Sequence, residues 1–214
     1  MKVEMSIGGD ALRMLEQLEE GMINRADLHQ DIATREENLV RDYLISLAQT
    51  RHATADDLGA TPTGHLERAA ESVTSRSDAD AATVSITSPG MRRAFEDITI
   101  VPVNAKWLTI AATAEAYGKR AGAFNDLRLA FFKGGRLALV KADQSRLSDR
   151  KSSGYGIEGK AAKADATKQR PPVYYWLVKS VTQKQDRTLL PSDALLQTAA
   201  EEGVRDWLKS FLAF

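Results

Sequence analysis

Leu127-Arg128-Leu129-Ala130-Phe131-Phe132-Lys133-Gly134-Gly135-Arg136-Leu137-Ala138-Leu139-Val140 is the stretch that decides the fold class. Leu127, Leu129 and Phe131 recur at period two before Lys133-Gly134-Gly135-Arg136, and Leu137, Leu139 and Val140 carry the apolar pattern beyond it. Period two is the repeat of a pleated strand. Gly-Gly between two such runs supplies the positive φ angles that a tight primed turn demands. The stretch predicts a hairpin, and with it an antiparallel sheet.

Working outward, Trp107-Leu108-Thr109-Ile110 predicts an apolar strand, and Ile98, Ile100 and Val103 an extended run that Pro102 confines to an edge or an end. Val84 and Ile86 alternate with Thr83, Ser85 and Thr87, and with Val73 and the turn-rich Ser77-Asp78-Ala79-Asp80 they predict a second hairpin. Val173-Tyr174-Tyr175-Trp176-Leu177-Val178 is aromatic and β-branched, the composition of a central strand. Helical periodicity lies on both sides of this β region. Asp10 is expected to cap a helix with Leu12, Leu15 and Leu18 on one side, ending near Gly21. Asp27 opens a longer one carrying Leu28, Ile32, Leu39, Tyr43, Leu44 and Leu47, ending near Thr50 before the polar stretch from His52 to Thr61. Thr61-Pro62-Thr63-Gly64 predicts a threonine-capped helix from His65 to about Glu71. Ser192 caps a last helix with Leu195, Leu196, Ala199, Val204, Trp207, Leu208 and Phe211. Val3, Met5 and Ile7 predict a short strand over 2–7. The fold class expected is α+β: an antiparallel sheet of about four to six strands, packed by N-terminal helices and a C-terminal helix, in a single domain over 1–214.

The chain has 214 residues with 29 basic and 29 acidic side chains, so its formal net charge is zero, unlike that of a dedicated nucleic-acid binder. It has no cysteine, which excludes disulfide frameworks, thiolate metal sites and cysteine nucleophiles. The alternation over 2–7 lacks the unbroken apolar run of a secretory signal, and no stretch reaches membrane-spanning length, so a soluble protein without a membrane partner is expected.

Motifs that could carry chemistry reduce to simpler readings. Gly154-Tyr155-Gly156-Ile157-Glu158-Gly159 fits G-x-G-x-x-G, but Ser148-Asp149-Arg150-Lys151-Ser152-Ser153 before it cannot form the buried strand that dinucleotide binding needs. A flexible loop explains it. Gly134-Gly135 beside Lys133 and Arg136 lacks the spacing of a phosphate loop, and the hairpin turn accounts for it. His29, His52 and His65 include no i, i+4 pair for a metal. Adjacent acids such as Glu19-Glu20, Glu36-Glu37, Asp56-Asp57 and Glu201-Glu202 point about 100° apart on a helix and do not converge. No catalytic residue, cofactor-binding residue or metal ligand is expected, and the protein is not expected to be an enzyme.

Charge is unevenly spread. Residues 142–171 hold Leu147, Tyr155 and Ile157 as their only large apolar side chains, the mark of a long polar insertion between strands. From Lys141 onward the insertion carries Arg146, Arg150, Lys151, Lys160, Lys163, Lys168 and Arg170, against Asp143, Asp149, Glu158 and Asp165. The first sixty residues are acidic, twelve Asp and Glu against six Lys and Arg. The seven basic residues Arg146 to Arg170 are the candidate interface. The insertion could be a solvated loop, could dock on an acidic face of a neighbouring subunit, or could touch nucleic acid.

The order of elements and several stretches together resemble the tail-completion and virion-morphogenesis proteins of tailed bacteriophages, neck components similar to those of Mu-like and HK97-like phages. The resemblance rests on the N-terminal strand and helix pair through Ala48, on Thr63-Gly64-His65-Leu66, and on Ile100-Val101-Pro102-Val103-Asn104-Ala105-Lys106-Trp107-Leu108-Thr109-Ile110. It continues in Ala116-Tyr117-Gly118 and in Tyr175 to Val181, with Leu189-Leu190-Pro191 before the last helix. It covers most of the chain outside 142–171. Thr182-Gln183-Lys184-Gln185-Asp186-Arg187 stands where the family often has a proline-rich approach. The resemblance implies a structural protein without catalysis, forming a six- or twelve-fold ring that joins the head connector to the tail. Its neighbours would be connector and tail-tube proteins, with contact to packaged DNA open. It implies a place in the virion, and in the host cytoplasm during assembly. A tail terminator capping the tube, or a DNA-contacting channel module, are the alternatives.

Overall fold

The computed structural model describes residues 9–23, 25–141 and 172–212. The strand expected over 2–7 and the insertion 142–171 lie outside them. The chain is α+β. The described helices are α1 (Gly9–Ile23), α2 (Ala26–Thr50), α3 (Ala53–Leu58), α4 (His65–Glu71) and α5 (Asp193–Leu212). The described strands are β1 (Val73–Ser77), β2 (Ala82–Ile86), β3 (Ile98–Ile100), β4 (Leu108–Ala111), β5 (Leu127–Phe132), β6 (Arg136–Lys141), β7 (Val173–Val178) and β8 (Val181–Gln183). They form three sheets: β1-β2, β3-β8 and β4-β7-β6-β5. The chain groups into two compact units, one of residues 1–51, 64–98 and 184–214, the other of 52–63 and 99–183.

The first unit is built on α2. Ala33, Val40, Leu44 and Ala48 recur along one stripe of this helix and are buried. Val40, Leu44 and Ala48 pack with Leu66, Ala69 and Ala70 of α4, with Val73, and with Met91, Ala94 and Leu189. The β1-β2 hairpin lies against the same core through Val84 and Ile86. At its turn the Asp78 carboxylate accepts the backbone N–H groups of Asp80 and Ala81, both at 2.9 Å, which hold its pKa below the usual range. α5 runs close to α2. A Cβ on Gly203 would fall 2.7 Å from the Ile32 Cα, so only glycine permits this approach.

The second unit is built on the four-stranded sheet. Tyr175 of β7 is buried with Ala116 and Tyr174, and Ala111, Ala121, Phe124, Leu127 and Leu139 pack around them. The Tyr175 hydroxyl donates to the carbonyls of Ala116 (3.1 Å) and Lys119 (3.0 Å), tying the 112–124 connection to the sheet. β7 is central, as its composition predicts. Gly134 (φ 86°) and Gly135 (φ 75°) adopt the positive φ angles that the β5-β6 turn requires.

Several helix ends differ from expectation. α1 continues through Gly21 to Ile23, and Asp10 lies inside it. α4 starts from Gly64, not from a threonine cap: Gly64 sits in the left-handed region (φ 63°), which a β-branched residue rarely adopts, and the helix has no side-chain cap. The polar stretch after His52 contains α3, closed by Gly59 at φ 62°. Ser192 does cap α5: its hydroxyl accepts Leu195 N–H at 3.4 Å, beside a 3.0 Å bond to its carbonyl.

Candidate assembly surface

Pairing within the four-stranded sheet lines residues into rows. Ala111, Tyr175, Leu139 and Leu129 form one, Ile110, Trp176, Ala138 and Ala130 the next, and Thr109, Leu177, Leu137 and Phe131 the third. Alternate rows face opposite sides of the sheet. Each row begins on β4 and ends on β5, and neither strand has a second neighbour among the described residues. Unpaired strand edges offer a line of N–H and C=O groups to another strand.

The β5 edge is apolar as well as open. Leu129 is 52% exposed and Phe131 78% exposed, and Ile110 on the opposite edge strand is 40% exposed. Phe131 and Phe132 are adjacent, so they point to opposite faces and cannot both enter one core. That adjacency was the signal in the sequence for a surface aromatic, and the hairpin reading passed over it. Beyond β3, Val101 and Val103 are also exposed. On α1, Leu12, Leu15, Met22 and Ile23 are exposed although the first two lie on its expected apolar side.

At the far end of the sheet, polar groups fasten the strands. The Tyr174 hydroxyl donates to the Glu115 carboxylate and accepts from Lys141 Nζ at 3.2 Å. Glu115 and Asp126 each lie 3.9 Å from that ammonium. The hydrogen bond to Glu115, with burial, pushes the Tyr174 pKa up, so the phenol keeps its proton and serves as a donor, not a base. The bond to Tyr174 and the charge of Glu115 push the Lys141 pKa up, holding it cationic. These charges fasten strand ends.

Arg146, Arg150, Lys151, Lys160, Lys163, Lys168 and Arg170 lie outside the described residues, as does the glycine motif 154–159. Of the histidines, His29 bonds the Asp78 carbonyl through Nδ1 at 2.8 Å, His52 precedes α3 and His65 opens α4. Among the described residues no three His, Asp or Glu side chains gather as a metal site, and no helix is long and apolar enough to cross a membrane.

Charge divides with the units. The sequence ranges of the first hold 14 Lys and Arg against 21 Asp and Glu; those of the second hold 15 against 8. The neutral chain is therefore a −7 unit joined to a +7 unit. No protein-family model, curated protein or solved structure matches this chain.

Proposed function

We propose that this chain is a structural protein of a tailed-bacteriophage virion, a neck or tail-completion component whose copies close into a ring between the head connector and the tail. The observation that carries the proposal is that β4 and β5, the outer strands of the four-stranded sheet, each lack a second neighbour among the described residues. Every neighbouring pair in that sheet is antiparallel, and the number of strands is even, so β4 and β5 run in opposite directions. A second copy brought up in the same orientation lays its β4 antiparallel beside β5 without reversal. The rows then continue: Leu129 reaches Ala111 of the next copy, Ala130 reaches Ile110, and Phe131 reaches Thr109. Head-to-tail contact of this kind generates a ring when its rotation closes.

The sequence resemblance supplies the virion setting, and the sheet supplies a means of assembly that needs no chemistry. Negative-stain imaging of the purified chain tests the reading. Rings of one defined size, matching a ring at the head–tail junction of particles, are expected. A monodisperse monomer at every concentration and salt condition would contradict it.

A further inference from the structure

The Trp176 side of the sheet carries an aromatic ring and two arginines that edge pairing leaves unused. Ile110, Trp176, Ala138 and Ala130 share one row on this side. Arg136 and Phe132, paired with each other, and Arg128, paired with Val140, flank the row on either side. No carboxylate belongs to these positions. Ala138 in the middle of the row is fully buried, and Ala130 and Trp176 on either side of it are half-buried. The Phe132 ring meets Trp176 edge-on, with centroids 5.4 Å apart and planes at 60°, which fixes the indole in place. The Arg136 guanidinium lies 5.9 Å from the Trp176 ring centroid, and both Arg136 and Arg128 are exposed. Their positions are four residues apart along the strands, roughly 13 Å.

A held aromatic ring bracketed by two exposed arginines fits a chain of bases and phosphates. The ring offers a face to a base, and each guanidinium can hold a phosphate or stack in its turn. Bases inside a duplex are already stacked and expose no face to an indole, and an acidic protein would have no use for the ring. We infer that the Trp176 face binds single-stranded nucleic acid, with one base stacked on Trp176 and the flanking phosphates held by Arg128 and Arg136.

The test uses the full chain and a labelled oligothymidylate of roughly twelve nucleotides, followed by anisotropy and tryptophan emission at about 50 mM salt. Binding that quenches tryptophan and weakens steeply with added salt is expected. Trp176→Ala should weaken it about 5- to 150-fold, the range of one lost stacking contact. Because that change also removes packing against Phe132, the double variant Arg128→Glu with Arg136→Glu carries the test independently. It should keep the melting temperature and elution volume of the parent and lose about tenfold or more in affinity. Lack of binding at low salt overturns the inference, and so does equal affinity for a duplex of the same length or for polyglutamate. Unchanged affinity in the arginine variant also overturns it, since binding would then lie elsewhere. Ring formation is read separately by elution, so either conclusion can fail alone.

Discussion

Asp186 shows how much a single side chain can join. Its carboxylate accepts from Arg51, from Arg93 at 2.7 Å, and from the Thr188 hydroxyl and N–H at 2.6 and 3.2 Å, tying the end of α2, the 89–94 turn and the approach to α5 within the first unit. The Thr188 hydroxyl, with the two guanidinium groups, lowers its pKa from 3.8 to about 2. The folded value lies below the unfolded one, so the stabilisation is full above about pH 4 and is lost as pH falls through 2. Asp186→Asn should cost on the order of 2 kcal/mol at neutral pH, with the gap to the parent closing towards pH 2, as denaturant titrations at the two pH values would read. An equal deficit at both pH values would assign the loss to packing. None of this was legible from the sequence. Thr182 to Arg187 stood out only as a departure from the resembling family, and the partners lie 93 and 135 residues away.

Elements were legible in proportion to how local their cause is. The β5-β6 hairpin follows from alternation and Gly134-Gly135, and α2 from helical periodicity, although of the apolar positions expected on its covered side only Leu44 is among the buried Ala33, Val40, Leu44 and Ala48. α3 escaped because six residues hold under two turns, too few for periodicity to appear, and Gly59 was its one signal. What the strands would pair with was harder still. Alternation marks two faces for each strand but does not say which face is covered, so the open, apolar β5 edge emerges only from the register. A charge on that edge should block strand addition without touching the core. Phe131→Lys is therefore expected to elute as a monomer with an unchanged circular dichroism spectrum and melting temperature. Persistence of the parent's assembly in this variant would move the interface away from β5.

At the scale of the whole molecule, net charge of zero hides a −7 unit and a +7 unit that are not contiguous in the chain. The acidic first sixty residues and the basic insertion were visible as a sequence trend. The sequence ranges that the two units take in depended on α3, β3 and the strand pairings, which composition does not determine. The proposed assembly rests on the two sheet edges of opposite direction, neither of which has a second neighbour among the described residues, and not on attraction between the unlike units.

Absence of cysteine makes the central claim directly measurable, because any introduced pair is unique. Head-to-tail addition brings Ala130 beside Ile110 of the next copy, within the roughly 4.4 to 6.8 Å Cα separation that a disulfide spans. Oxidation of the chain carrying both A130C and I110C should give a ladder of covalent oligomers ending in one closed species, with neither single variant forming it. A double variant that stays monomeric on oxidation, or an A130C chain that forms covalent dimers by itself, would contradict head-to-tail assembly through this sheet.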